Sequence, residues 1–456
     1  MALVTMEQTR VLSGEISRRL RVATMSGELR RGAAAGVLIF GAGVVLRTLL
    51  EIIFARAMGP TDFGAYSYIF AWLSILAVAG GLGIPYAFVR FIPEYEVFKN
   101  YAGQRRLARF ARVAALTVGV AVGVLGGAII LGLRPSGVDH VSIILGMASV
   151  PVLALLTVQS ELARGFRRVV LAYLPLLVLR PVFTILFGLG LLVTTGHLTA
   201  AQGLATGLLA ILVCLVVQRA RVHRLLAASS QADPSDNISD ASTKERGEHR
   251  SWLDVALPLL VINVLAAIAM RADVIVVGAL RGSEAAGVYA VAARVALLST
   301  FALEALNTIV APTISKLFYA GDHRGVQQLV RNAARVTFVT ALVATLLLEL
   351  AGTRSLAVFG SGYTGGMTAL QVLLVGQLVN ASTGPVTYLM IATGEQNLAA
   401  IAQGVATALF FALAIPLTAY AGLIGTAAAV TVARATVNIW MVIAAQQRLG
   451  IRSFVI

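Results

Sequence analysis

The sequence predicts an all-α integral membrane protein with about twelve transmembrane helices, arranged as two six-helix lobes. Three observations predict this class: an apolar composition, twelve apolar stretches long enough to cross a bilayer, and a weak repeat that relates the two halves of the chain. Hydrophobic residues make up 58% of the 456 residues and charged residues only 12%, whereas a soluble domain has about 25% charged residues. Soluble domains could not cover their surfaces with so few charges, and that class is excluded.

A helix needs about 20 mostly apolar residues to cross the hydrocarbon core, which is roughly 30 Å thick. No cleavable signal peptide is evident before the first such stretch. The fifth stretch contains Pro175 and Pro181, which makes it the strongest candidate for a broken helix. Twelve stretches meet the length requirement: 33–54, 64–89, 111–133, 141–163, 169–194, 200–218, 253–280, 287–311, 334–352, 366–392, 397–416 and 420–445.

The distribution of the basic residues, which give the chain a net charge of +15, predicts the orientation of these helices. If the N-terminus is cytoplasmic, the inner segments hold 27 of the 36 lysines and arginines, the outer loops hold four, and five lie within spans. Because positively charged residues stay in the cytoplasm, both termini are predicted to be cytoplasmic. Topology thus explains the basic excess. Binding of nucleic acid is excluded, since no soluble module interleaves basic residues with stacking aromatic residues.

A polar segment rich in serine and aspartate separates the two sets of six spans. Such a composition predicts a flexible linker. The predicted organisation is a cytoplasmic N-terminal segment (1–32), an N-lobe of spans 1–6 (33–218), a cytoplasmic linker (219–252), a C-lobe of spans 7–12 (253–445) and a cytoplasmic tail (446–456).

The two halves of the chain resemble each other at matching positions. The glycine and tyrosine of 64–66 recur at 287–289, an offset of 223. A pattern of glycine, glutamine, leucine and arginine starts at Gly103 before the third span and at Gly325 before the ninth, an offset of 222. With an even number of spans per half, the repeats are parallel and related by an axis along the membrane normal.

Ionisable residues inside membrane spans are costly, so they normally face a bundle interior or an aqueous cavity. Arg47 and Glu51 are one helical turn apart and can pair on one face of the first span. Arg271 and Asp273 are separated by about 200° around the seventh span, so they cannot both face the same neighbour. Five arginines are candidates for a cationic substrate cavity between the lobes, with structural ion pairs as the alternative: Arg47, Arg180, Arg271, Arg294 and Arg434.

Signatures of catalysis and of cofactor or metal binding are missing from the sequence. None of the three lysines follows a glycine as in a phosphate-binding loop, which argues against ATP hydrolysis. The five histidines lack the spacing of metal ligands, and the single Cys214 permits no intrachain disulfide. The sequence therefore predicts no catalytic residue, no metal site and no cofactor.

Several motifs resemble those of polysaccharide-synthesis flippases, the Wzx-like members of the multidrug/oligosaccharidyl-lipid/polysaccharide (MOP) exporter superfamily. The stretch 54–66 resembles the connection between that family's first two spans. The stretches 272–278 and 286–294 resemble its seventh and eighth spans, and 376–380 resembles its tenth. The likeness extends over nearly the whole chain.

The resemblance implies the MOP exporter fold, in which two six-helix lobes alternate between inward and outward openings. It further implies a transporter and not an enzyme: a flippase that moves polyprenyl-pyrophosphate-linked oligosaccharide to the outer leaflet for a surface lipopolysaccharide or exopolysaccharide. The implied location is the bacterial cytoplasmic (inner) membrane. The implied partners are the lipid-linked oligosaccharide, membrane lipids and other polysaccharide-assembly membrane proteins.

Relatives in this superfamily are thought to use ion gradients, which makes Glu51 and Asp273 the candidate ion-coupling residues. These two carboxylates coincide at the repeat offset of 222. Two alternatives stay open. One is an ion-coupled antiporter of drugs or other small molecules from the same superfamily, and the other is a membrane glycosyltransferase or polymerase.

Overall fold

The protein is built almost wholly of helices in the computed structural model, which describes residues 2–230 and 241–455. No β-strand occurs in those two ranges, so the predicted all-α class is confirmed. The α-helices in chain order are α1 (Ala2–Gly80), α2 (Ile84–Val97), α3 (Tyr101–Leu133), α4 (His140–Gly165), α5 (Val169–Leu174), α6 (Arg180–Thr195), α7 (Ala200–Ser230), α8 (Ala241–Leu298), α9 (Phe301–Tyr319), α10 (His323–Ala351), α11 (Thr353–Ala357), α12 (Met367–Ser382), α13 (Val386–Ala392) and α14 (Gln396–Leu449).

Eight helical segments within the described residues are long and apolar enough to cross a membrane. Three of them are much longer than one crossing requires: Leu38–Val97 (60 residues), Glu248–Leu298 (51 residues) and Gln396–Leu449 (54 residues). Each contains a glycine outside the helical region of the backbone, because φ is 74° at Gly59, 83° at Gly282 and 58° at Gly422. Glycine adopts positive φ without the steric cost of a Cβ.

The chain reverses direction at each of these three glycines. The rings of Phe54 and Tyr66 lie 5.5 Å apart across Gly59, although twelve residues of straight helix would separate them by about 18 Å. Two further side-chain hydrogen bonds connect the limbs on either side of the other glycines. The Tyr289 hydroxyl is 3.3 Å from the Asp273 carboxylate, and the hydroxyl groups of Thr418 and Thr426 are 2.6 Å apart. The three long helices are therefore hairpins of two limbs, and the two limbs of each hairpin correspond to two successive predicted spans.

The fifth predicted span contains an irregular turn between its two prolines. A π-helical turn, Pro175–Leu179, separates α5 from α6. Pro181 is the second residue of α6, after Arg180. A proline has no N–H to donate, so each one removes a helical hydrogen bond and favours such an irregular turn. Leu174, Pro175, Leu179 and Arg180 all keep helical backbone angles, so Val169–Thr195 is one continuous helix with a π-helical turn in place of the predicted break, and Arg180 directly follows that turn.

The tenth predicted span, 366–392, is also interrupted. Helix α12 ends at Ser382 and α13 begins at Val386. Between them Gly384 has a φ of 60° and Pro385 precedes the first residue of α13. A proline restricts the residue before it and cannot continue a preceding helix. The eighth span is likewise divided, since α8 ends at Leu298 and α9 begins at Phe301.

The turns at Gly59 and Gly282 support the predicted repeat. Their positions in the chain are related by an offset of 223, which is the offset found for the neighbouring sequence motif. Their backbones agree closely, with ψ of 174° and 178°. The same special conformation therefore occurs at the equivalent position of each half.

The halves meet through a reciprocal contact just beyond these turns. Gly64 packs against the carbonyl group of Ser283, and Gly287 packs against the carbonyl oxygen of Pro60, so closely that neither glycine has room for a Cβ. The contact is reciprocal because Pro60 and Ser283, like Gly64 and Gly287, are equivalent positions at the offset of 223. A pseudo-two-fold axis passes between the two glycines.

The loops after the third and ninth predicted spans extend this joint. The carbonyl oxygen of Ser136 accepts a hydrogen bond from the Ser283 N–H at 2.9 Å. The carbonyl oxygen of Val358, which is equivalent to Ser136 at an offset of 222, accepts one from Arg56 Nε at 2.7 Å. These loops lie on the side that the charge count assigns to the exterior. We call this contact region, formed by 56–64, 136, 283–287 and 358, the outer joint.

On the opposite side, the start of α8 packs against the first half. The indole N–H of Trp252, a fully buried residue, donates a hydrogen bond to the Tyr95 hydroxyl at 2.8 Å. Arg106 donates two hydrogen bonds to the Glu248 carboxylate, at 2.8 and 2.9 Å. The first helix of the second half therefore contacts the first half at both of its ends.

The polar segment predicted as a linker (219–252) is helical on both flanks, since α7 continues to Ser230 and α8 begins at Ala241. Residues 231–240 at its centre lie outside the described residues. The division into lobes at 33–218 and 253–445 stays a prediction. One cluster of buried apolar residues includes Phe54 from the first half and Tyr289 from the second, so the halves share an apolar core.

Candidate functional site

Two cavities share the first limb of α8 as a wall. The first-half cavity has a volume of about 140 Å³ and is lined by, among others, Arg47, Glu51, Phe70, Arg180 and Arg271. The second-half cavity has a volume of about 300 Å³ and is lined by, among others, Asp273, Asn380, Gln403, Arg434 and Asn438. Arg271 and Asp273 face different cavities, as expected from the angle of about 200° between them on one helix.

Glu51 lies between two arginines at the edge of the first-half cavity. Its Oε1 is 3.3 Å from Arg47 Nε, one turn earlier on α1, so the predicted pair forms. Its Oε2 is 2.6 Å from Arg294 Nε on the second limb of α8. Arg294 also donates to the Thr48 hydroxyl at 3.4 Å. An ion pair therefore joins α1 of the first half to α8 of the second half.

The ring of Phe70 contacts two arginines. The guanidinium carbon of Arg180 is 5.7 Å from the ring centroid, and that of Arg271 is 5.4 Å from it. Each contact of this kind contributes about 0.5–2 kcal/mol and holds a cation without neutralising it. Within the ranges that the structure describes, neither arginine has a carboxylate within 4 Å. Both positive charges are therefore available to an anion in the cavity.

The first-half cavity carries an excess of positive charge. Arg47, Arg180 and Arg271 line it, and Glu51 is the one acidic residue among its described lining residues. Glu51 is already shared between Arg47 and Arg294. Charges away from water are costly unless they are paired, so this arrangement favours an anionic occupant. Polar side chains that complete the lining are those of Tyr66, Ser67, Ser149 and Thr184.

The second-half cavity has a largely apolar lining with one formal charge of each sign among its described lining residues. Asp273 and Arg434 both line it, and the Tyr289 hydroxyl donates to Asp273 Oδ2 at 3.3 Å. The amide of Asn438 donates to Asn380 Oδ1 at 2.9 Å. No group of three or more His, Cys, Asp or Glu in 2–230 or 241–455 could hold a metal ion. This cavity offers a carboxylate and amide oxygens instead of an arginine cluster.

The five candidate arginines do not line one common cavity. Arg47, Arg180 and Arg271 line the first-half cavity, Arg294 pairs with Glu51 at its edge, and Arg434 lines the second-half cavity. The candidate carboxylates Glu51 and Asp273, which coincide at the repeat offset, also have different surroundings. Their roles in substrate binding and ion coupling stay predictions.

Three residues of the cavities were not selected from the sequence. Phe70 gave no signal because an aromatic residue in an apolar span is ordinary, and its contact with Arg271 depends on packing between halves. Asn380 and Asn438 are amides within the tenth and twelfth predicted spans. A search for polar residues of every kind, and not for charges alone, would have found them.

The family described as polysaccharide biosynthesis protein matches residues 29–318 of the chain. The match covers more than half of the 456 residues and includes the first-half cavity and both limbs of α8. No curated protein matches the chain in sequence.

Several solved structures share the fold. An inward-facing MATE family multidrug resistance transporter of the MOP superfamily gives a TM-score of 0.71 at 17% identity, over 91% of this chain and 98% of that chain. The lipid II flippase MurJ, in an inward closed conformation, gives 0.67 at 14% identity, over 91% and 87%. An outward-facing MATE family transporter of the MOP superfamily gives 0.60 at 17% identity, over 92% and 95%. At these identities the likeness shows the fold alone.

Proposed function

Because the chain belongs to the polysaccharide biosynthesis protein family and has the MOP exporter fold, we propose that it is a flippase for lipid-linked oligosaccharide. It moves polyprenyl-pyrophosphate-linked oligosaccharide from the cytoplasmic to the outer leaflet by alternating access, for a surface lipopolysaccharide or exopolysaccharide. The observation that carries this proposal is the pair of arginines, Arg180 and Arg271, that contact Phe70 and have no carboxylate partner among the described residues.

A pyrophosphate is the chemical group that suits this pair. The two guanidinium carbons lie 5.7 and 5.4 Å from one ring centroid, so both side chains lie beside the same ring, and both line the same cavity. Arginine binds phosphate oxygens through paired N–H groups, and these charge-assisted hydrogen bonds are strong. A diphosphate between the two side chains would satisfy both, and Arg47 adds a third positive charge to the same cavity. Acidic sugars of the glycan fit the same charges.

The helix that carries Arg271 also connects this cavity to the second one. Asp273 is two residues further along the same limb and faces the second-half cavity. An ion that binds Asp273 in one conformation more tightly than in the other shifts the equilibrium between them. A movement of this limb displaces Arg271 at the same time. We therefore assign ion coupling to Asp273, whereas Glu51 is occupied by two arginines.

The protein acts in the bacterial cytoplasmic membrane with both termini in the cytoplasm, according to the count of 27 inner against four outer basic residues. It carries out transport and no covalent chemistry. Its partners are the lipid-linked oligosaccharide, membrane lipids and other membrane proteins of polysaccharide assembly.

Complementation of a flippase-null strain tests the substrate. The unaltered chain is expected to restore the surface glycan, and the double variant R180Q/R271Q is expected to reach the membrane without restoring it. The matched control is Arg354→Gln, an exposed arginine of an outer loop, which should restore the glycan fully. Restoration by R180Q/R271Q at the level of the control would contradict the role of the arginine pair.

A drug or small-molecule antiporter is the second candidate, favoured by the fold likeness to the MATE family transporter at a TM-score of 0.71. Purified protein in vesicles would then export dyes or drugs against an ion gradient and leave surface glycan unchanged in cells. Sugar transfer by the protein in detergent would instead support a membrane glycosyltransferase or polymerase.

A further inference from the structure

One face of α10 is basic in its first turns. Arg324, Gln328, Arg331 and Arg335 follow one another at intervals of three or four residues, so they lie along the same face of the helix. Arg324, Gln328 and Arg335 are exposed. This end of α10 is on the side that the charge count assigns to the cytoplasm.

The same helix becomes apolar and exposed beyond the arginines. Val339 continues the face at an interval of four residues from Arg335, with 57% of its surface exposed. The exposed apolar residues that follow Arg335 on α10 are Val336, Val339, Val343, Leu346, Leu347 and Leu350. In a membrane protein such a surface faces the acyl chains. The helix thus presents arginines at the level of the headgroups and a hydrocarbon surface beyond them.

A groove of about 510 Å³ adjoins the arginines. Gly450 of the C-terminal tail lines it together with Arg324, Arg331 and Arg335. Gln327 holds the tail in place: its Nε2 donates to the Arg452 carbonyl oxygen at 2.7 Å, and its Oε1 accepts from the Arg452 N–H at 2.7 Å. The groove is therefore a built feature that includes two separate parts of the chain.

The arginines of the groove have no acidic partner within the described residues, since no carboxylate lies within 4 Å of Arg324, Arg331 or Arg335. The Nε of Arg331 is buried and has no hydrogen-bond partner in that part of the chain. The nearby Asp322 accepts the N–H of Gly325 at 2.8 Å as a helix cap. A buried donor without an acceptor is destabilising unless a ligand supplies one.

The equivalent helix of the first half, α3, differs in that one of its basic residues has a partner within the protein. Arg106, which is equivalent to Gln328 at the offset of 222, receives the carboxylate of Glu248 from α8 at 2.8 Å. One arginine of α3 is therefore neutralised by a carboxylate within the protein. The corresponding face of α10 keeps its positive charges and adjoins a groove.

We propose that this groove binds an anionic phospholipid of the cytoplasmic leaflet. The phosphate of the headgroup lies against Arg324, Arg331 and Arg335, and one acyl chain follows the apolar surface from Val336 to Leu350. Charge complementarity selects an anionic headgroup, and the continuous apolar surface selects a lipid over a free phosphate. The site is separate from both cavities and does not depend on what they transport.

Lipid retention by the full chain tests the site. Purified protein is mixed with equal amounts of phosphatidylglycerol and phosphatidylcholine, and bound lipid is counted by native mass spectrometry. The unaltered chain is expected to retain phosphatidylglycerol preferentially. Each basic residue near a membrane surface strengthens binding of anionic lipid roughly fivefold, so R331Q/R335Q is expected to lower the preference about 25-fold. The variant R331K/R335K keeps the charge and should keep most of the preference.

The control is R221Q/R224Q, which removes two exposed arginines from the cytoplasmic end of α7. An equal loss of preference in this control would show that only total charge matters and would overturn the site. A second measurement needs no variant: a photoreactive phosphatidylglycerol in vesicles should attach to the 324–350 region of the unaltered chain. Attachment confined to other helices would overturn the assignment.

Discussion

The outer joint supports a sharp prediction for the substitution Gly64→Ala. A Cβ at Gly64 would lie 2.6 Å from the Ser283 carbonyl carbon and 2.7 Å from the Gly287 nitrogen, and closer still to the Ser283 oxygen. Ordinary contact begins at 3.4 Å, so the two backbones must separate by roughly 0.8 Å or more. No side-chain rotation relieves a clash between a Cβ and backbone atoms.

The energetic effect falls on one conformation only. Overpacking of this kind destabilises a structure by about 1–3 kcal/mol. We expect the halves to part at the outer joint in an outward-open state, in which the added methyl group would meet no opposing backbone. The substitution therefore shifts the equilibrium away from the described conformation by about 5- to 150-fold. Gly287→Ala, the pseudo-symmetric substitution, meets the Pro60 carbonyl and should act in the same direction.

Thiol labelling from the outer side measures this shift. The one native cysteine, Cys214, is buried, so a cysteine introduced at Ser67, which lines the first-half cavity, supplies the accessible thiol. With a membrane-impermeant maleimide, Gly64→Ala is expected to raise the labelling rate at Ser67→Cys at least fivefold.

The matched control is Gly190→Ala, where an added Cβ meets nothing within 4 Å and α6 continues undisturbed. This control should label at the rate of the parent. If Gly64→Ala also labels at the parental rate while folding normally, the outer joint is not the contact that keeps the cavity closed, and the reasoning is refuted.

Three further outcomes test the two cavities and the contact between the start of α8 and the first half of the chain. Arg294→Ala and Arg434→Ala are each expected to abolish transport with normal membrane expression. The first removes a partner of Glu51, and the second removes the cation of the second-half cavity. Normal transport by both variants would contradict a role for these charges. Asp273→Asn is expected to remove the dependence of transport on an imposed pH or sodium gradient, and an unchanged dependence would exclude the residue from coupling. Tyr95→Phe breaks the hydrogen bond from Trp252 and should lower stability by about 1 kcal/mol, measured as a decrease in Tm, with no such decrease expected for Tyr420→Phe at an exposed position.

The sequence predicted those structural features that depend only on residues close together in the chain. The spacing of four residues predicted the pair of Arg47 with Glu51, which forms at 3.3 Å. Helical geometry predicted that Arg271 and Asp273 face different surroundings, and they line different cavities. Pro175 and Pro181 predicted an irregularity in the fifth span, which takes the form of a π-helical turn and not of a break. Each follows from bond geometry within one helix.

Contacts between distant segments could not be predicted in this way. Arg294 lies in the opposite half of the chain from its partner Glu51, and nothing local to either residue indicates the other. The convergence of Arg180 and Arg271 on Phe70 requires three helices to pack in a particular register. The repeat offset matched Glu51 to Asp273 in position but not in environment, because side chains around them differ between the halves.

The glycine contact at the outer joint also has the form of a dimer interface. In an isologous interface the same patch occurs on both partners, so residue i of one contacts residue j of the other and the reverse. Gly64 with Ser283 and Gly287 with Pro60 have this relation between the two halves of one chain. A six-helix ancestor could pair with a second copy of itself through this patch, in the same membrane orientation. Once two copies are joined in one chain, each half can change alone, which accounts for two cavities of different charge: Arg47, Arg180 and Arg271 line one, and Asp273 and Arg434 line the other.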